Sequence, residues 1–280
     1  MKLYSVYKDK ISGLQDVADT VKTVEKVAAS SVHLMRGQVA ALNFHAQQIE
    51  QALRRLSALG IVIDHPMAKP LPAGKNLLLV LTGDKGLVGG LWHNLVNEYI
   101  VHAADYDGVI VVGAKGLSYL EEESVKVDSS FTDLPEDWSS VASRIKQGIF
   151  SRFGRGDIRR IDILLPRFLS LGQQLPAILP FLPFSFVVSS EERVASGLPI
   201  YEPSAREAYS FLLEEYIGVY FYGLILETRL SELSARTISM ETAAAKTEEL
   251  EHRLELEYIK ERNRSVTRKQ LESFMVHKMV

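Results

Sequence analysis

ISGLQDVADTVKTVEKVAASSVHLMRGQVAALNFHAQQIEQALRRL, residues 11–56, contains no proline and places apolar side chains at alternating steps of three and four. From Ile11 the steps land on Leu14, Ala18, Val21, Glu25, Ala28, Val32, Met35, Val39, Leu42, Ala46, Ile49, Leu53 and Leu56, with Glu25 the single departure. A seven-residue repeat sustained over this length is the seam of a left-handed coiled coil, narrower than the stripe of an ordinary surface helix. At a rise of about 1.5 Å per residue the segment spans roughly 70 Å, and a helix of that reach needs a partner along it.

The other end of the chain supplies one. All ten prolines lie between Pro66 and Pro203, together with thirteen of the eighteen glycines, so Met1–His65 and Ser204–Val280 are free of proline. Ser204 can cap a helix start, with Glu207 as the second half of a capping box. From Leu212 the same stepping gives Tyr216, Val219, Gly223, Leu226, Leu230, Leu233, Thr237, Met240 and Ala244. The seam then decays, and Lys246–Arg264 is dominated by charge. A helix from Ser204 to about Phe274 approaches roughly 100 Å and outruns the N-terminal one. Its weak far seam fits a single exposed helix and equally a helix that lies inside another protein.

The middle reads as an α/β domain. Apolar runs at 76–81, 108–113 and 161–165 alternate with helical spacing over 91–103 and 139–153, the pattern of a small open sheet with buried parallel strands. The glycine-rich turn Gly83–Gly90 lies between the first strand and the first helix. Such a turn can cradle phosphate through its amides, but the spacing matches neither Gly-x-Gly-x-x-Gly nor a Gly-Lys followed by Ser or Thr. Its glycines are expected to shape a tight connection.

Composition narrows the function. The formal charge of −3 supplies no net basic field for nucleic acid, and the local group Arg152, Arg155, Arg159 and Arg160 reads as a solvated loop and helix end. With no cysteine there is no disulfide, thiolate metal site or thiol switch, which suits a reducing compartment. His33 and His45 are twelve apart on one helix and His93 and His102 lie nine apart, and these histidines read as isolated surface or boundary residues and not as a metal site. Glu121, Glu122 and Glu123 read as a solvated helix end. No signal peptide is evident, and the most apolar stretch, 175–188, contains three prolines and is short of the ~20 residues needed to cross a bilayer. Catalytic machinery, cofactor and metal are all expected to be absent, and any membrane association is expected through a partner.

Several short motifs, in order along the whole chain, resemble the gamma subunit of the F-type ATP synthase, the central rotor stalk. Glu25-Lys26-Val27-Ala28-Ala29-Ser30 is similar to that family's Glu-Met-Val-Ala-Ala-Ser, and Thr82–Leu91 to its Ser-Asp-Arg-Gly-Leu-Cys-Gly-Gly turn. Val112–Gly116 is similar to Gly-x-Lys-Gly, and Tyr201–Ser204 to Phe-Glu-Pro-Ser. Ser231–Met240 resembles Ser-Glu-x-x-Ala-Arg-Met-x-Ala-Met, and Arg262–Thr267 resembles Arg-Gln-x-x-Ile-Thr. Departures lie at Ser31-Val32-His33-Leu34, where the family carries a basic run, at Ala244–Thr247, which lacks its asparagine, and at Asn263, which shortens its glutamine.

The resemblance implies a long antiparallel coiled coil of the N- and C-terminal helices (1–65 and 204–280) with an inserted Rossmann-like α/β domain (66–203). It implies a non-catalytic rotor coupling the turning of a membrane c ring, driven by proton or sodium flow, to ATP synthesis or hydrolysis in a ring of alpha and beta subunits. Partners are then those subunits, the epsilon subunit and the c ring, at the cytoplasmic face of the bacterial inner membrane. Arg262, Asn263 and Thr267 become candidates for contact with a moving loop of a beta subunit, with Lys22, Glu25 and Lys26 facing the same region. Met275 and Val276 belong to an apolar tip, with Phe274, Met279 and Val280, that resembles the end held in an apolar sleeve. Lys85, Lys115 and Glu202 fall on the side of the c ring and epsilon. The alternatives are a coiled-coil adaptor that homodimerises through the seam, a divergent gamma-like paralogue with other ion use, and a nucleotide-binding enzyme built on Gly83–Gly90.

Overall fold

The computed structural model describes residues 3–58, 65–68, 72–135, 137–184, 202 and 204–277. Met279 and Val280 of the expected tip lie outside them, as do Tyr201 and Pro203. The chain forms two compact units, Met1–Ala29 with Arg236–Val280, and Ser30–Ala235.

Two long helices carry the ends of the sequence. α1 spans Leu3–Ala58 and α5 spans Ala205–His277. Ser204 caps α5 as its sequence implies: the N–H of Glu207 donates to Ser204 Oγ at 3.2 Å. Glu207 accepts the Ser204 hydroxyl at 2.8 Å.

The second unit holds the α/β domain. β1 (Lys75–Leu81), β2 (Gly108–Val112), β3 (Ser129–Phe131), β4 (Ile158–Ser170) and β5 (Gln173–Leu182) form one sheet in the order β3-β2-β1-β4-β5. β1 pairs in parallel with β2 (Leu79 beside Ile110) and with β4 (Leu79 beside Ile163), β3 is parallel to β2, and β5 is antiparallel to β4. Three of these strands are the apolar runs of the sequence. β3 has only one apolar side chain and no alternation to announce it. β5 contains Pro176 and Pro180, which a central strand excludes and an edge strand tolerates, and they stand opposite Pro166 and Asp162 of β4.

The strand period of two builds two cores. Leu77, Leu79, Leu81, Ile110, Val112, Ile161, Ile163 and Leu165 point to one face. There they meet α4 (Trp138–Gly154) through Val141, Ile145, Ile149 and Phe153, α1 through Ile49, Leu53 and Leu56, and α5 through Leu213, Ile217, Phe221, Leu224 and Ile225. Leu78, Val80, Val109, Val111 and Leu164 point to the other face, covered by α2 (Leu91–His102) and α3 (Ala114–Glu122) through Leu95, Val96, Tyr99 and Leu120. The α1 seam therefore serves as one wall of a sheet core as well as pairing with α5, whereas α5 turns Leu213, Ile217, Phe221, Leu224 and Ile225, beside its own seam, to that core.

Within each unit α1 and α5 run antiparallel. In the first, Tyr4 lies edge-on to Tyr258 at 6.2 Å, Gln15 bonds Glu251 and Lys22 bonds Glu248, so the numbers fall on one helix as they rise on the other. In the second, Val32 packs with Leu230 and Leu233, and Tyr216 donates its hydroxyl to Glu50 at 3.4 Å. Among the described residues no helix is long and apolar enough to cross a membrane, and no cluster of His, Asp and Glu is arranged to hold a metal.

Candidate partner-contact surfaces

The expected contacts of the first unit separate into two levels. Lys22 is held by Glu248 at 2.7 Å, both exposed, and that pairing raises the lysine pKa and lowers that of the carboxyl. Lys26 lies one turn further along the exposed face, and Glu25, the interruption of the seam, is half-buried. Arg262, Asn263 and Thr267 are all exposed on α5, where the Thr267 hydroxyl donates to the Asn263 carbonyl at 3.0 Å. Because Lys22 faces Glu248, Arg262 sits fourteen residues beyond it, about 21 Å along the helix. The resemblance set these groups against one region, and the structure gives each its own height.

Beyond Tyr258, α5 outruns the described start of α1 and supports itself. There Arg264 with Glu261 (2.7 Å) and Arg268 with Glu272 (3.1 Å) are pairs three or four residues apart, the spacing that brings side chains together on one helix, as Arg253 and Glu249 are before it. The charge run that blurred the seam thus divides: up to Tyr258 it lies beside α1, with Glu248 and Glu251 bonded to Lys22 and Gln15, and beyond it the pairs are within α5. Interleaved with it, Leu256, Ile259, Val266, Leu271, Phe274 and Met275 are exposed. The Val276 side chain lies outside the described residues.

Lys85 and Lys115 come together at the C-terminal ends of β1 and β2. The turn after β1 is fixed by its own polar groups. Thr82 Oγ1 donates to the Val112 carbonyl at 2.5 Å and accepts the N–H of Gly116 at 3.1 Å, while Asp84 accepts the N–H groups of Ala114 (2.7 Å) and Leu134 (2.6 Å). The Asp84 carboxylate thus occupies the first turn of α3, where an anion would otherwise be favoured. Gly113 has φ +97°, and a Cβ there would stand 2.6 Å from Thr82 Oγ1, so only glycine allows this approach. The glycines shape a connection, as their spacing suggested. Lys85 is exposed and Lys115 half-buried, and their loops adjoin: a Cβ on Gly86 would lie 3.6 Å from Lys115 Cε. Glu202 is exposed in a bend.

Sequence reasoning missed a third group, on the α5 face turned to the sheet. Ser231 and Glu232 are buried, as is Thr228. Ser231 donates to the Pro166 carbonyl at 2.7 Å, and Glu227 accepts the N–H of Phe168 at 3.2 Å and pairs with Arg167 at 2.9 Å. Burial pushes the Glu227 carboxyl up, against the opposing pull of Arg167. Glu232 pairs with Arg229 at 2.6 Å, and a Cβ on Gly83 would lie 3.0 Å from its carboxylate. The available signal was the motif Ser231-Glu232, which packing against the domain accounts for.

A family model described as ATP synthase matches residues 4–272. The chain is similar to the ATP synthase gamma chain of Desulfitobacterium hafniense, 26% identical over 262 residues and 92% of each chain. It is also similar to that of Dehalococcoides mccartyi, 28% identical over 276 residues and 95% of each. Among solved structures it resembles a chain of the Euglena gracilis mitochondrial ATP synthase rotor, with a TM-score of 0.62 at 16% identity, covering 94% of this chain and 98% of that one. A chain of the Tetrahymena thermophila mitochondrial ATP synthase central stalk and c-ring gives 0.60 at 20% identity, covering 80% and 99%. At these identities the structures speak for the fold alone.

Proposed function

The chain belongs to the ATP synthase family, among its gamma chains, and from that membership we infer that it is the central shaft of a rotary ATP synthase, itself without catalytic chemistry. The observation that carries the reading is the antiparallel pairing of α1 and α5 in both units of a chain matched over 4–272. Two helices wound together resist twisting better than one. An asymmetric shaft touching equivalent catalytic subunits differently biases each toward a different conformation, and so toward a different nucleotide affinity.

On this reading the division is a coiled-coil helix over 1–65, an α/β domain over 66–203 and a coiled-coil helix over 204–280. Alpha and beta subunits meet Lys22, Glu25 and Lys26 at one height and Arg262, Asn263 and Thr267 at another, with Met275 and Val276 toward the tip. The epsilon subunit and a c ring meet Lys85, Lys115 and Glu202. The shaft is peripheral, at the cytoplasmic face of the bacterial inner membrane, and is turned by proton flow. A homodimeric adaptor is disfavoured because the seam is taken up within the chain: Leu53 and Val32 are buried by its own residues in the second unit, Ala18 and Met240 in the first.

Co-expression with the alpha and beta subunits of the same organism tests this. One copy of the chain per three alpha and three beta, with ATPase activity confined to that species, supports the shaft. A free chain or a homodimer that never joins the ring overturns it.

A further inference from the structure

Most of what holds α5 to the α/β domain is apolar: Leu213, Ile217, Phe221, Leu224 and Ile225 press into the sheet core. Apolar contact is non-directional, so burial of one face fixes a helix's angle about its own axis only coarsely. Hydrogen bonds are directional. At one level of the second unit they come in a set. Glu227 and Ser231, one turn apart on α5, grip the end of β4 through its backbone, taking the N–H of Phe168 at 3.2 Å and giving a hydrogen bond to the carbonyl of Pro166 at 2.7 Å. Arg167, between them, pairs with the same Glu227 at 2.9 Å. From the other side α1 closes the joint: the Arg36 guanidinium lies 4.9 Å from the centre of the Phe168 ring, and Val32, Met35 and Val39 pack around Leu230, Leu233 and Phe168. β4 is stiffened here by its ladder to β5, with Pro166 beside Pro176 and Phe168 beside Gln174.

We propose that this clamp, Glu227 and Ser231 on the backbone of Pro166–Phe168, sets the rotational register of α5 on the α/β domain and is the joint through which torque passes from the domain to the shaft. The inference rests on the shaft reading and assigns positioning residues to it. Both strand-side partners are backbone atoms, so the joint has no side-chain rotamer to give way on that side. Ser231 is sealed from water at 0% exposure and the Glu227 side chain is 13% exposed, so solvent competes only weakly for the bonds.

The test compares ions pumped per ATP hydrolysed in the reconstituted complex carrying wild-type chain, Glu227→Ala with Ser231→Ala, or Glu227→Gln. The double variant removes both backbone bonds. Hydrolysis is expected to continue while the pumping ratio falls at least fivefold. Glu227→Gln keeps an acceptor for the Phe168 N–H, and the Ser231 bond with it, and is expected to hold the ratio within twofold, while a merely structural role would lower hydrolysis and pumping together. If the double variant does not assemble, Ser231→Ala alone removes one bond and is expected to lower the ratio at least twofold. A ratio unchanged in the alanine variants, or hydrolysis and pumping falling in step, overturns the clamp and leaves the shaft reading standing. A wild-type chain that never joins the complex overturns both.

Discussion

Asp84 and Ala114 are joined by a 2.7 Å hydrogen bond in which the carboxylate of the turn after β1 accepts the first amide of α3. Its second oxygen takes the N–H of Leu134, so one side chain ties three loops at the end of the sheet. Hydrogen bonds to a charged acceptor contribute about 1.5–3 kcal/mol each in protected settings. Asp84→Ala is expected to expose both amides locally at a cost of about 1–3 kcal/mol. Hydrogen exchange at Ala114 and Leu134 should then quicken by roughly 5- to 150-fold, with exchange in β1 unchanged. Unaltered exchange at both amides would show that the turn is held by other groups.

Glycines in helices give a prediction whose sign depends on position. Gly37 lies on the exposed face of α1 with nothing within 4 Å of where a Cβ would stand. Gly37→Ala should therefore stabilise by about 0.5–1 kcal/mol through helix propensity alone. Gly116 is also helical, but its Cβ would run into the Thr82 side chain. There the same substitution should destabilise by about 1–3 kcal/mol, through overpacking and a disturbed Thr82 hydroxyl. Urea titration of the full chain distinguishes the two, and a shared sign would contradict the packing described.

What the sequence disclosed follows from periodicity and punctuation. The seam from Ile11 to Leu56 and the confinement of proline to 66–203 placed both long helices and the insert, because a period held over many turns leaves little room for another reading. The three strands found are those with continuous apolar runs. β3 and β5 escaped because a short polar edge strand and one carrying two prolines lack that signature. The clamp escaped for a different reason. Glu227 and Ser231 look like solvated positions on a helix, and only the tertiary approach of Pro166–Phe168 makes them buried partners of a strand. The contact set was legible only through family motifs, and these carry no information on height, which the pairing of Lys22 with Glu248, fourteen residues before Arg262, supplies.

Glu227 gives a dependence on pH. Burial raises its carboxyl pKa above the ordinary carboxylate value despite Arg167. An acid whose folded pKa is raised contributes stability that is fully present below its unfolded pKa and is lost as pH rises through the folded one. Glu227→Gln, which stays neutral, lacks that loss. The stability of wild type relative to Glu227→Gln should therefore fall as pH rises from the ordinary glutamate range through the raised pKa, and level off above it. Parallel thermal melts of both chains across that window check this, and a difference that grows with pH would mean that Arg167 outweighs burial.

Leu53 and Phe274 are both large, apolar and helical, and they should answer substitution in opposite ways. Leu53 is fully buried in the core shared with Leu213 and Ile217, so Leu53→Ala leaves a cavity and should cost about 2–5 kcal/mol. Phe274 is 74% exposed on the far stretch of α5, so Phe274→Ser should leave the stability of the isolated chain within about 0.5 kcal/mol. An exposed aromatic that contributes nothing to its own fold is available to a partner. On the shaft reading, Phe274→Ser should lower the yield of assembled alpha-beta complex, or its resistance to dissociation on dilution, although the free chain melts as before. Native mass measured after dilution reads this directly. Loss of the free chain's own stability would place Phe274 in an intramolecular contact, and full retention of the complex would remove the α5 tip from the contact surface.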